Sequence, residues 1–427
     1  MIRWIQIIFL DFFIFVLLME SSLAVGQTKI TLEDAKRFAT QKNYRVKALK
    51  DEVSAISADR GRAKAAFLPR LGIVGGVNSY GEVAKEVGPV AYGYAKYNIL
   101  NGYRDQTRED LADIDLEKAE LRLSREKFII GLDVEKAFHS YIYFSDLIGL
   151  QEIAIALNND HKALVNKTKR AGRSTSTDVM EFKLKGAILK SDMEILQQKI
   201  EETRTELKML LGEKVGSKVS PVGAIQHQHL LGNLKKYLNR IKKTSLPVRM
   251  ASLDLKESQV GSSAWKSSWL PTVDLEVQAG RFAMESRDEK QENNISFLLT
   301  AKYELFSGFE SRYEKKKRYA LLSRDEHYLK QNILSSITEM EKTFRRLKTI
   351  EKRVDLEERN VDRSLAYYHG VTKEYLRGYK NSSDLANAAD GYIESRKQKI
   401  QFMYDFLMEK LKLERAMGVK VDVEIIE

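Results

Sequence analysis

The residues able to do chemistry in this 427-residue chain are few and scattered. It has no cysteine and six histidines, His139, His161, His227, His229, His327 and His369. Without a thiolate there is no nucleophile of that kind, no disulfide and no sulfur-ligated metal. The histidines show neither metal-motif nor triad spacing, and no phosphate-binding glycine loop sits at a strand-to-helix junction. The one close pair, His227 and His229, has no carboxylate or cysteine near it in the sequence and reads as surface residues. No enzyme, cofactor or metal centre is expected.

What recurs instead is a polar turn. AGRSTSTDV (Ala171 to Val179) and RGYKNSSDL (Arg377 to Leu385) each place a glycine, Gly172 or Gly378, before hydroxyl and amide residues and end near an aspartate, Asp178 or Asp384. Glycine suits the left-handed stop of one helix, and Ser, Thr and Asp suit the start of the next. Glu181 follows Asp178 by three residues, so a helix-capping role for the aspartates stands beside any functional one.

These turns must be positioned by the elements around them, and those elements are written twice. AKYNILNGY (Ala95 to Tyr103) returns as AKYELFSGF (Ala301 to Phe309), 206 residues on. The same offset separates Gly172 from Gly378, Asp178 from Asp384, Phe138 from Phe344 and Gly212 from Gly418, while Leu68-Pro69 and Leu270-Pro271 are offset by 202. The chain is two copies of one unit.

Each copy opens with a helical pattern stopped by proline. The first begins at Thr31-Leu32-Glu33-Asp34, which resembles a capping box, and runs to about Phe67 before Pro69; the second runs from about Pro247 to Trp269 before Pro271. The period then changes from 3.6 to 2. Val273, Leu275, Val277 and Ala279 alternate with Asp274, Glu276 and Gln278, and Ile295, Phe297, Leu299, Ala301, Tyr303 and Leu305 alternate with mostly polar neighbours. Strands are expected at about 70–82 and 90–100, and again at about 271–283 and 294–306, with loops near Gly81 to Pro89 and Met284 to Asn293. Gly102 and Gly308 provide the bend into the following helix. Long uninterrupted helices are expected at about 103–170 and 309–377, with returns at 178–211 and 384–417. Roughly 68 residues at 1.5 Å each make a rod of about 100 Å.

Around these copies (25–212 and 247–418) lie a linker at 213–246, a tail at 419–427 and a leader at 1–24. The leader places Arg3 before an apolar run from Ile5 to Met19 and ends Ser22-Leu23-Ala24, the pattern of a cleaved signal peptide. No later apolar run reaches the roughly 20 residues a spanning helix needs. Strands of about ten residues with one apolar face have the length and alternation of transmembrane barrel strands, but four cannot close around a lumen. A soluble antiparallel sheet with one buried face is the alternative, but the flanking helices favour a barrel, which would have to be assembled from several chains. The fold class is mainly α with a membrane β-barrel contribution, in two tandem repeats of β-hairpin plus long α-hairpin. In that setting Tyr97 and Tyr303 fall near a strand end, where an outward aromatic sits at the membrane interface.

The net charge of +11 and pI near 9.3 do not argue for nucleic acid, because basic and acidic residues interleave, as in EKAELRLSREK (Glu117 to Lys127). The run Lys315 to Arg318 reads as a solvated helix face.

Leu-Pro before the first strand, A-K-Y-x-[IL]-[LF]-x-G-[YF] after the second and G-x5-D at the hairpin tip, all doubled at constant offset, resemble the TolC family of outer-membrane efflux proteins from about Ile30 to Gly418. The resemblance implies a homotrimer with a 12-strand β-barrel in outer-membrane lipid and a 12-helix α-barrel through the periplasm, belted by the segment from Glu213 to Leu246. It implies a passive duct of a tripartite efflux or type I secretion system. The partners would be a periplasmic adaptor (membrane fusion) protein and an inner-membrane pump of RND, ABC or MFS type. The tips would form the periplasmic entrance, carried by Thr177 and Asp178 in the first and Tyr375, Lys380 and Asp384 in the second. Gly172, Arg173, Gly378 and Tyr379 would be turn and adaptor-contact residues. Between neighbouring tips Tyr375 and Lys380 can donate to Asp178, and threefold assembly would make Asp384 a ring of carboxylates, weakened by Asn387 where some relatives have another acid.

A nonporous periplasmic coiled coil accounts equally for the helices and the charge. It does not account for two pairs of amphipathic strands, and solubility without detergent would favour it.

Overall fold

Proline, glycine and single capping side chains partition the chain. The computed structural model describes residues 28–80, 86–213, 219–281 and 294–425; the expected leader and most of the two expected strand loops lie outside them. In order come β1 (Thr28–Ile30), α1 (Leu32–Lys42), α2 (Tyr44–Lys64), β2 (Arg70–Tyr80), β3 (Glu86–Asn101), α3 (Arg104–Arg170) and α4 (Ser176–Leu211). There follow β4 (Val219–Pro221), β5 (Gln228–Leu230), α5 (Leu234–Thr244), α6 (Leu246–Ser263), β6 (Thr272–Arg281), β7 (Asn294–Lys302), α7 (Glu310–Arg377), α8 (Ser382–Met417) and β8 (Val423–Ile425).

The opening helix expected to run unbroken to Phe67 is two helices. Asn43 leaves helical geometry at ψ 128°, its N–H closing α1 on the Ala39 carbonyl while its side chain accepts from Arg45 N at 2.9 Å to start α2. Its amide also donates to the Leu210 carbonyl at 3.1 Å, which holds the break against the end of α4. Ser245, 202 residues later, leaves helical geometry in the same way between α5 and α6. The 11-residue α5 therefore stands to the second copy as the 11-residue α1 stands to the first. The span expected as a linker at 213–246 contains the second copy's opening helix.

The repeat is written into the core. Ala35, Ala39, Val134, Phe138, Leu207 and Leu211 pack in one buried cluster, and Tyr237, Ile241, Met340, Phe344, Leu413 and Met417 at the matching positions pack in another. Volumes differ while places persist: small residues on α1 are replaced by a tyrosine and an isoleucine on α5. Each fully buried large apolar side chain contributes roughly 1.5–3 kcal/mol, so these clusters fix the short helices across the middle of the rods.

The four long strands form one antiparallel sheet in the order β2-β3-β6-β7. Its register aligns the apolar residues in rows: Leu71 lies opposite Ala95, Ala95 opposite Val277, and Val277 opposite Phe297. The next row runs Ile73, Gly93, Ala279, Ile295. One face is thus apolar across all four strands, and its edge residues are bare, with Ile73 89% and Phe297 73% exposed. On the other face Lys96 lies opposite Glu276, and Asn98 Nδ2 donates to Asp274 Oδ1 at 2.8 Å. Strand β7 ends at Lys302, four residues before its expected limit, so Tyr303 lies beyond it; Tyr97 is on β3 opposite Leu275.

Gly102 and Tyr103 both adopt φ near +64°, as do Gly308 and Phe309, a two-residue left-handed bend that starts α3 and α7 after the sheet. Pro69 and Pro271 lie one residue before β2 and β6.

Candidate functional site

The two helical hairpins turn at the end of the rods farthest along the chain from the sheet. Helix α3 packs on α4 and on α8, and α7 on α8, so the turns of both copies meet side by side. Beneath them Val165, Val179, Phe182, Tyr375, Leu385 and Ala386 form a buried cluster that seats the tips.

Each turn is a glycine stop followed by a capping box. Gly172 at φ +77° and Gly378 at φ +84° end the outgoing helices. Thr175 then accepts from Asp178 N at 3.2 Å while Asp178 Oδ2 accepts from Thr175 N at 2.7 Å. Asn381 and Asp384 exchange the same pair of bonds at 2.8 and 3.2 Å. The aspartates are therefore the third helical residues of reciprocal boxes, and the return helices start two residues earlier than expected. The signal was the three-residue spacing of Thr175 to Asp178 and of Asn381 to Asp384 rather than that of Asp178 to Glu181.

Asp178 does more than cap. Its Oδ1 accepts from Ser382 Oγ at 2.7 Å, which ties the first turn to the second. The Thr175 backbone N–H and then the Ser382 hydroxyl hold its carboxyl below the usual range, since both stabilise the ionised form. Tyr375 is buried, and its hydroxyl is engaged by Thr168 Oγ1 at 3.0 Å and Ser174 Oγ at 3.3 Å within the same chain. The hydroxyl has one proton, so donation from Tyr375 to a neighbouring Asp178 leaves it only an acceptor toward Thr168 and Ser174. Ser382, Thr168 and Ser174 were not singled out from the sequence, because a serine or threonine in a polar turn carries no distinguishing pattern.

Arg173, Asp178, Tyr375, Gly378, Tyr379, Lys380 and Asp384 all line one open cleft between the turns, about 490 Å³ in volume. Thr177 is exposed outside it, and Gly172 lies at the turn beside it. Neither Arg173 nor Lys380 makes an ion pair with the described residues, so two cations and two acids face one opening with only the acids internally bonded.

A second polar cluster corrects the reading of the histidine pair. His227 and His229 at β5 do have carboxylates beside them, Glu351, Asp355 and Glu358 from α7, more than a hundred residues away in sequence.

Residues 238–419 match the outer membrane efflux protein family. The fold is shared with the outer membrane protein VceC of Vibrio cholerae at a TM-score of 0.78 and 15% identity, covering 92% of this chain and 97% of that one. The open state of the MtrE outer membrane channel of Neisseria gonorrhoeae gives 0.78 at 13% identity over 91% and 89% of the two chains. The CmeC outer membrane channel of Campylobacter jejuni gives 0.75 at 12% identity over 92% and 86%. Among curated protein sequences, none matches this chain.

Proposed function

We propose that this protein is an export duct of the outer membrane, because residues 238–419 match the outer membrane efflux protein family and 91–92% of the chain shares the fold of outer membrane proteins. Three copies share a 12-strand barrel in outer-membrane lipid, and their helices continue as a 12-helix tube through the periplasm. The duct is passive. It is opened by a periplasmic adaptor at the hairpin tips and powered by an inner-membrane pump, in a tripartite efflux or type I secretion system.

The observation that carries this reading is the sheet. Its apolar face is continuous across four strands, and its outer strands β2 and β7 have no partner beyond them among the described residues. Unpaired strand edges cannot face hydrocarbon, where every backbone N–H and C=O must be bonded within protein, so the sheet needs its own copies on both sides. The open cleft at the tips, with Asp178, Lys380 and Asp384 around it, supports a gated entrance at the opposite end.

The test is the mass of the mature protein extracted from outer membranes in mild detergent, corrected for bound detergent. A mass of three chains, recovered only with detergent, is expected. A detergent-free soluble monomer overturns the duct in favour of a nonporous periplasmic coiled coil.

A further inference from the structure

The histidine pair and the acidic face of α7 form an arrangement that the duct does not require. His229 lies on β5 and His227 just before it, while Glu351, Asp355 and Glu358 fall on one face of α7 at intervals of four and three residues. Glu351 is buried, and its Oε1 lies 2.8 Å from His229 Nδ1. A carboxylate only accepts, so Nδ1 carries the proton in the neutral ring and the Nε2 lone pair is left free. That lone pair points at another acceptor: Asp355 Oδ1 is 3.5 Å from His229 Nε2 and 3.3 Å from His227 Nε2. Both Nε2 atoms are shielded from solvent and have no hydrogen-bond partner.

The His229 lone pair and the carboxylate oxygen it faces repel unless a cation lies between them, and His227 Nε2 borders the same point. The distances choose between a proton and a metal. A charge-assisted N–H to carboxylate bond closes to about 2.7–2.9 Å, shorter than either separation. Donors about 2.0–2.1 Å from a tetrahedral ion are about 3.4 Å apart, which is the separation of each imidazole Nε2 from Asp355 Oδ1. We propose that His227 Nε2, His229 Nε2 and Asp355 Oδ1 bind a divalent transition metal of the zinc class, with water in the fourth position. The ligand atoms lie within 4.8 Å of one another, so modest rotation of the imidazoles closes the site. Glu351 supplies the outer carboxylate that fixes the tautomer of His229, as partners of metal-bound histidines do. Lys348 holds Glu351 at 2.7 Å and also donates to the Leu230 carbonyl at 2.9 Å, so strand and helix are already joined beside the site. The metal clamps β5, and through it β8, to the middle of α7.

The site is tested on the full-length protein in detergent, without a polyhistidine tag, after chelator dialysis. Titration with zinc chloride is expected to give one equivalent per protomer by calorimetry, and cobalt(II) is expected to give the strong visible absorption of a tetrahedral nitrogen–oxygen site. The pair His227→Gln and His229→Gln should abolish the stoichiometric step while helical circular dichroism is kept. Glu351→Gln should weaken affinity about 10–100-fold through the outer shell. Absence of a stoichiometric step in the native chain, or a step that survives the double glutamine variant, overturns the proposal; the first result would leave a proton as the cation between the rings.

Discussion

Asp178 Oδ1 accepts a hydrogen bond from Ser382 Oγ at 2.7 Å, and this is a link between the turn of one repeat and the turn of the other. The same carboxylate closes its own helix on Thr175, so replacing Asp178 removes two things at once. Ser382→Ala separates them. It deletes the link and leaves both capping boxes, each worth about 1 kcal/mol, in place. If the tips hold the entrance closed, single-channel conductance in a lipid bilayer rises for Ser382→Ala and rises further for Asp178→Lys; equal conductance for all three proteins shows that the tips do not gate.

Acidification has a defined effect at this link. The Asp178 carboxyl is depressed below its ordinary value, so its contribution is complete above the ordinary aspartate pKa and is lost as pH falls through the depressed one. If the tips gate a channel, its conductance is expected to rise only below about pH 4, and Ser382→Ala should flatten that rise. A rise centred near pH 6 would point to a histidine instead.

The same linkage is stronger at Glu135 on α3. Burial raises its pKa, but Lys36 of α1 and Lys420 beyond α8, whose Nζ lies 2.6 Å from Oε2, outweigh burial and draw the carboxyl down to about 2. Its stabilisation is therefore fully present above pH 4.5 and disappears as pH falls toward 2. Glu135→Gln should cost about 2 kcal/mol at neutral pH, the scale of a hydrogen bond to a charged group. It should also remove part of the acid limb of stability. Guanidinium unfolding followed by helical circular dichroism from pH 7 to pH 2 reads both effects.

The twin bends after the sheet are not equally tolerant. Gly102 and Gly308 share φ near +64°, which costs an alanine roughly 1–2 kcal/mol. A Cβ at Gly102 would also stand 2.7 Å from the Ser267 carbonyl oxygen, whereas at Gly308 it meets nothing within 4 Å. Gly102→Ala should lower the yield of folded, membrane-extracted protein well below that of Gly308→Ala, measured by quantitative extraction of both from the same expression level. Equal yields would mean the Ser267 segment moves aside.

Legibility followed the range of the interaction. Gly172, Gly378, Pro69 and Pro271 act through their own backbone, so their spacing alone located turns and strand starts. The break at Asn43 escaped because one asparagine costs a helix little and only the Leu210 carbonyl of α4 makes it a stop. The opening helix of the second copy escaped because its offset from the first is 202 rather than 206, and because Tyr237 and Ile241 replace the alanines that mark α1. His227 and His229 were read as isolated because their carboxylates come from α7, and no local window contains both.

The two faces of the sheet make the sharpest test of the membrane assignment. Phe297 and Ile73 lie on the apolar face at opposite edges of the four-stranded sheet, and both are bare in the single chain. If lipid covers that face, Phe297→Arg and Ile73→Arg each cost about 2–4 kcal/mol near the bilayer midplane. Trimer recovered from outer membranes should fall accordingly. On the opposite face Glu276 lies across from Lys96, where water would fill the barrel. Glu276→Gln should therefore leave trimer yield unchanged and alter only the ratio of cation to anion permeability, read from the reversal potential in a salt gradient. Loss of trimer in Glu276→Gln together with normal yield in Phe297→Arg would put lipid on the wrong side of the sheet.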